Sequence, residues 1–375
     1  MKKIPLFLIL FVLFPLSFLT GTERRSLPYS QVTLDFSMAE RSIEWLEEVA
    51  QNQPIPLLKE KFRRDVLPTE GYRAISLHYS QIDPYKREEF FHFVLKALGK
   101  EADPNRVVPE NARIAWQDAL RNLPRLRQDL AELKTLNLKG KAMIWALEYL
   151  PPGARLKSRL HIVAYGLFRG FTVNGHNGFD LLQLPRRSDG SLDAAGILRS
   201  FAHSLHHTGL DYLCSKYMKN SAFSQKTILP YGLVAEGMTS FFIDQLDRRY
   251  ATLRGSNLLS LREAAAEWER NLSRTQELFK MAEADIRLNL AGGLSPVLFS
   301  SRWLNGTKGP LYYLGYVMIE LIDRELGRET VLSLANDYRP LLRLYNQAAR
   351  KAKKRGENVF LFDNGLADAL CSSKN

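Results

Sequence analysis

Three side chains define the chemistry open to this chain. His203 and His207 are four residues apart in the stretch Ser200-Phe201-Ala202-His203-Ser204-Leu205-His206-His207-Thr208-Gly209-Leu210. At ~3.6 residues per helical turn, that spacing sets both imidazoles on one face, where together they can hold a single metal ion. Further on, Glu236 is the lone carboxylate of the run Leu233-Val234-Ala235-Glu236-Gly237-Met238-Thr239-Ser240-Phe241-Phe242. Two imidazoles and one carboxylate make a three-ligand zinc set with a fourth position open.

The surroundings support a shared partner for the three. The chain has 7 histidines, and three of them fall within five positions. Phe201, Ala202, Leu205 and Leu210 imply that the helix is partly buried, and a buried imidazole or carboxylate needs something to pair with. His206 points about 100° away from its neighbours and is the alternative ligand to His207. Tyr312 and Tyr316 share a face of a later apolar helix, placing a phenol where it could stabilise an oxyanion; the competing reading is that both are core aromatics. His78 and His92 have no partner four residues on and read as ordinary surface or core histidines. His176, in Gly175-His176-Asn177-Gly178, reads as a loop residue more often exposed than catalytic.

In its order of elements the chain resembles a gluzincin metallopeptidase, whose first motif is H-E-x-x-H and whose third ligand is a Glu on a later helix. A narrower resemblance runs from about Phe171 to Tyr345. There H-x-x-H-H-x-G, then E-G, then G-P-x-Y-x-x-G-x-x-M (Gly309 to Met318) look like a bacterial family of unknown function described as candidate zinc-dependent peptidases. The resemblance implies a zincin-like core and Zn2+ on His203, His207 and Glu236, with Tyr312 as the helix-start tyrosine. Ser204 stands where that family has its catalytic Glu. In an H-E-x-x-H enzyme the Glu takes a proton from a water whose pKa zinc has lowered to roughly 7, a contribution typically worth 10²–10⁴-fold. A serine hydroxyl cannot hold that proton at neutral pH. Asp180 and Asp211 are the nearest candidate replacements, and neither has the right place on the helix face.

Several elements must position these groups, and the expected fold is mainly α (α+β), with a small sheet before the zinc helix and a helical part ahead of that. Amphipathic patterns predict helices over Ser37–Gln51, with Ser37 as N-cap, and over 57–66, 84–98, 110–133 and 141–149, with residues 22–32 a polar linker. At Arg159 the texture turns β-branched, aromatic and glycine-punctuated, predicting strands over 160–166, 168–173 and 179–184. In many zinc peptidases the edge of such a sheet binds an extended peptide. The zinc helix is expected over 191–217 and the Glu236 helix from Pro230 to near Arg249. A long stretch over 258–288 follows, then a helix opened by Pro310 at its favoured first position. Shorter helices over 329–336 and 340–354 precede a loosely fixed tail from Gly356. The expected division is 1–21 leader, 22–158 helical region, 159–355 zinc-binding region and 356–375 tail.

Composition bounds the rest. Of 375 residues 45% are hydrophobic and 25% charged, which describes a folded globular chain. Met1-Lys2-Lys3 followed by the apolar Ile4–Leu19 reads as a secretory signal, with an uncleaved anchor and hence membrane association as the rival; the expected address is periplasmic or extracellular. Cys214 and Cys371 could pair in an oxidising compartment or remain two thiols. The net charge of +12 is scattered and accompanies no nucleic-acid module, so no specific nucleic-acid partner is expected. The expected function is an exported zinc metallopeptidase-like protein acting on or binding peptide or protein, weakly active or inactive for want of a base. The alternatives are a non-catalytic envelope protein whose histidines and Glu236 hold no metal, and an active hydrolase with a substitute base.

Overall fold

A computed structural model describes residues 31–79, 87–101, 107–166, 170–217, 227–245, 259–306 and 308–373. The segment expected to be a secretory signal, residues 1–21, lies outside these residues. Among the described residues, no helix is long and apolar enough to cross a membrane.

The first described element is strand β1 (Gln31–Asp35), whose first two residues belong to the stretch expected to be a linker. Five residues are too few to show an alternating pattern, and pairing with a strand more than a hundred residues away defines it. Helix α1 (Ser37–Ala50) buries Met38, Ile43, Trp45, Leu46 and Val49, as its period predicts. Asp35 Oδ1 accepts the Ser37 N–H at 3.0 Å, so the expected cap is the first helical residue and the cap lies before it. Helix α2 (Ile55–Lys61) runs into a π-helical turn (Phe62–Val66), and α3 (Glu70–Tyr79) and α4 (Arg87–Ala97) follow. The helix expected over 110–133 is two, α5 (Glu110–Arg121) and α6 (Leu123–Thr135), because Pro124 lacks the N–H that continuation would need. Helix α7 (Leu138–Glu148) leads into the sheet.

Strands β2 (Lys157–Val163), β3 (Gly170–Val173) and β4 (His176–Asp180) complete a four-stranded sheet in the order β1-β2-β4-β3, with only β3 antiparallel to its neighbour. Asn174 and Gly175, with φ of 47° and 77°, form the tight β3–β4 turn that Asn-Gly favours. His176 is therefore the first residue of β4, not a loop residue. One face of the sheet meets helix α8 (Ala194–Tyr217): Asn177 Nδ2 bonds Ser158 Oγ at 2.6 Å and Thr208 Oγ1 at 3.3 Å, and the rings of Phe179 and Phe201 are 4.3 Å apart. By the two-residue alternation of strands, His161 and His176 lie on the opposite face, joined to each other and to Asp35.

Helix α9 (Ile228–Thr239) continues as a second π-helical turn (Ser240–Asp244) and stops at Gln245, which has φ of 49°, short of the expected end near Arg249. Next come α10 (Leu259–Ser273), α11 (Thr275–Leu290), α12 (Pro296–Trp303) and α13 (Pro310–Leu326), then α14 (Arg328–Ser333) and α15 (Leu341–Lys354). The tail expected to be loose instead forms α16 (Asn364–Ser372), capped by Asp363. Asn346 exchanges two hydrogen bonds of 2.9 Å with the backbone of Phe362, Phe360 stacks on Phe279, and Phe362 meets Tyr345 edge-on. The whole is mainly helical with one small sheet, the expected class. Cys214 and Cys371 are both free thiols.

Candidate metal centre

His203 and His207 stand one turn apart on α8, their ring centroids 4.8 Å apart, and Glu236 reaches them from α9. One ligand atom from each of the three lies within 4.8 Å of the others. His207 Nε2 is 3.3 Å and His203 Nε2 3.9 Å from Glu236 Oε2. Zinc bonds near 2.0–2.1 Å in a tetrahedron put neighbouring ligand atoms about 3.4 Å apart, the spacing His207 and Glu236 already have.

His207 Nε2 and Glu236 Oε2 are both buried and make no hydrogen bond, their 3.3 Å approach being misaligned for one. Orphaned buried polar atoms cost about 1–3 kcal/mol each, and two facing one another are what a cation between them would satisfy. Burial alone would push Glu236 toward its neutral form, yet the adjacent His207 and His203 hold its carboxyl below the usual range. Burial likewise opposes the charge on His207, and Glu236 more than offsets it, raising the imidazole above its ordinary value. The donor set, its orphaned atoms and its spacing fit a zinc ion.

Helix α13 completes the wall. It crosses α9 where Gly237 meets Gly315: a Cβ on Gly237 would lie 2.5 Å from the Gly315 carbonyl oxygen, and one on Gly315 would lie 2.5 Å from that of Leu233. Backbone on both sides cannot give way, so only glycine permits the approach. It brings the Tyr312 hydroxyl to the Glu236 carboxylate, whose charge, together with burial, raises the phenol well above its ordinary pKa. Tyr316, one turn on, packs on Phe241 and Trp268, the core role weighed for it.

Two further groups belong to the centre and were not singled out from sequence. Asp244, at the end of the π turn, accepts a hydrogen bond from His203 Nδ1 at 3.1 Å and from Lys308 Nζ at 2.8 Å. Burial opposes its charge, and Lys308 and His203 prevail, keeping the carboxyl far below its usual range. The available signal was a second lone acid in the apolar run, eight residues after Glu236. Lys308 carries no such signal, since it comes from a loop far along the chain.

The remaining candidates fall outside. His206 is fully buried, its Nε2 donating to the Tyr149 carbonyl at 3.1 Å and its Nδ1 paired with the Thr239 hydroxyl at 2.8 Å, so it is no alternative ligand. Burial and the neighbouring His207 push it down to about 3. Ser204 is buried on α8 beside His203. Asp211 accepts a bond from the Tyr231 hydroxyl, and Asp180 takes the N–H groups of Tyr165, Gly166 and Leu182. His78 stacks on Phe171, and His92 pairs with Glu101.

Residues 64–354 match the family model described as "Putative zinc dependent peptidase (DUF5700)". No curated protein and no solved structure matches the chain.

Proposed function

We propose a function from one premise: the chain belongs to this zinc dependent peptidase family, whose model covers most of its length. His203, His207 and Glu236 hold one zinc ion, and the protein engages peptide segments while hydrolysing them weakly or not at all. When bound, zinc would polarise a peptide carbonyl and activate water. The chain's own residues supply the rest incompletely. Tyr312 steadies Glu236 and offers a phenol at the edge of the centre. Strand β3, last in the strand order of the sheet and beside α8, is where an extended peptide would add a further strand.

The observation that carries the reading is that, among the described residues, the carboxylates weighed as substitute bases and Asp244 are each committed elsewhere. A water attacking a carbonyl must give up a proton, and Ser204 cannot hold it. Asp244 is taken by His203 and Lys308, Asp211 by Tyr231, and Asp180 by three backbone N–H groups. No substitute base stands ready among them. Export is part of the proposal and rests on the basic start and apolar run of residues 1–19.

Elemental analysis of the purified chain, alongside His203→Ala and Glu236→Ala, tests the centre. About one zinc per chain, lost in both variants, is expected. Absence of zinc from the folded wild-type chain would leave a metal-free polar cluster and a structural or binding protein. With zinc in place, Ser204→Glu is expected to raise peptide hydrolysis by 10²–10⁴-fold, the usual contribution of a general base. High turnover by the unaltered chain would defeat the weak-activity reading.

A further inference from the structure

We propose that Asp244 and Lys308 tune the metal centre from behind it with opposite signs: Asp244 aims His203 and strengthens binding, and Lys308 opposes the cation and weakens it. The inference rests on the zinc reading above.

A lone imidazole can rotate and can carry its proton on either nitrogen. The Asp244 carboxylate only accepts, so the 3.1 Å bond from His203 places the proton on Nδ1 and leaves the Nε2 lone pair on the side of Glu236 and His207. Local backbone makes that bond reachable. Eight residues separate Glu236 from Asp244, and at ~100° per residue an α-helix would leave them about 80° apart in rotation. The wider π turn from Ser240 to Asp244 takes up most of that difference and returns Asp244 to the face of Glu236. The Gln245 N–H closes the turn on the Ser240 carbonyl at 2.9 Å, and Gln245 ends it in the left-handed region that a non-glycine residue seldom adopts.

Lys308 is anchored separately. Its backbone N–H bonds Glu267, its ammonium meets Asp244 at 2.8 Å, and the same ammonium lies 4.5 Å from the Tyr312 ring centroid. The Lys308 side chain is only 20% exposed, so water screens its charge poorly. A fixed cation there steadies Asp244 and also repels any second cation placed between His203, His207 and Glu236. Asp244 attracts that cation and orients one of its ligands. An ion pair that merely held the fold together would lose metal binding equally from either side; this pair would not.

Zinc affinity measured by chelator competition on the full chain separates the two. Asp244→Asn is expected to bind zinc 10–100-fold more weakly, the usual effect of losing such an orienting partner. Lys308→Met is expected to bind several-fold more tightly, and Asp368→Asn, an exposed acid paired with Arg343 on α15, to match the wild type. In metal-free protein, ¹⁵N NMR should find His203 protonated on Nδ1 in the wild type and in Lys308→Met, and lose that preference in Asp244→Asn. Wild-type affinity in Asp244→Asn, or equal weakening in Lys308→Met, overturns the inference. If Asp244→Asn does not fold, tighter binding by Lys308→Met still supports it and weaker binding still refutes it. Failure of the wild type to bind zinc refutes the metal reading, whereas a His203 without the Nδ1 proton refutes this one.

Discussion

Tyr312 lies beside a carboxylate that faces two imidazoles, and that position sets what its removal should do. Tyr312→Phe keeps the ring against the Lys308 ammonium and deletes only the hydroxyl. The buried Glu236 carboxylate then loses the polar group beside it, a cost of about 1–3 kcal/mol to the metal-free fold. Zinc should recover much of that loss, because it satisfies the same carboxylate. Thermal unfolding with and without zinc is the check: the variant should be destabilised mainly in the metal-free state, and an equal loss in both states would show that the phenol serves packing alone. At this scale the sequence was most informative where one helix carries the pattern. His203 and His207 were legible from spacing, and Glu236 from its isolation in an apolar run. His206 had the right residue type in the wrong direction, about 100° off the ligand face, and its two backbone and hydroxyl partners come from elements its own neighbours do not reveal. Asp244 was hidden because reading it requires knowing that the helix widens into a π turn.

The elements were legible where they are long and amphipathic, and hidden where pairing at a distance makes them. Strand β1 is the clearest case. Its order comes from β2, and side chains add to the link: Asp35 Oδ2 accepts from His161 Nδ1 at 2.8 Å, and His161 Nε2 pairs with His176 Nδ1 at 2.9 Å, so one chain of bonds stitches three strands. The bond from His161 lowers the Asp35 carboxyl to about 2 from its ordinary 3.8. A carboxyl depressed in the folded state contributes stability that is present above the unfolded value and disappears as pH falls through the folded one. For Asp35 the window therefore runs from about pH 4 down to about 2. The shift corresponds to roughly 1–2 kcal/mol at neutral pH, once screening at a partly exposed carboxylate is allowed for. Asp35→Asn should lose that amount in urea unfolding at pH 7, and its gap from the wild type should narrow between pH 5 and pH 3. A gap that stays constant over that range would mean that the bond contributes through shape and not through charge. His161 was passed over in the sequence because nothing in a run of strand residues announces partners on two other strands.

Across the whole molecule the shift of texture at Arg159 is real, since helices give way to strands there, and it falls inside β2. The helical region before it supplies β1 to the sheet, the Trp116 indole N–H to the Tyr165 carbonyl at 3.0 Å, and Asp129 to Arg186 at 3.1 Å. Trp116 is fully buried by the contact. A chain carrying only residues 157–375 would therefore bare one long side of β2, open the face of the sheet that α1 and α3 cover, and cost Arg186 its carboxylate partner Asp129. Buried Val163 and Phe171 of that face would each forfeit about 1.5–3 kcal/mol, and such losses are a large part of the margin of a typical fold. The ligands all lie within this shorter chain, so ligand count predicts undiminished zinc binding, and shared packing predicts its loss. The expected result is residual helix by circular dichroism, no cooperative melt and no stoichiometric zinc. A cooperative melt with one zinc bound as tightly as by the full chain would show that residues 159–355 form a self-sufficient unit. In that case the helices before them would be an attachment to the centre and not part of what builds it.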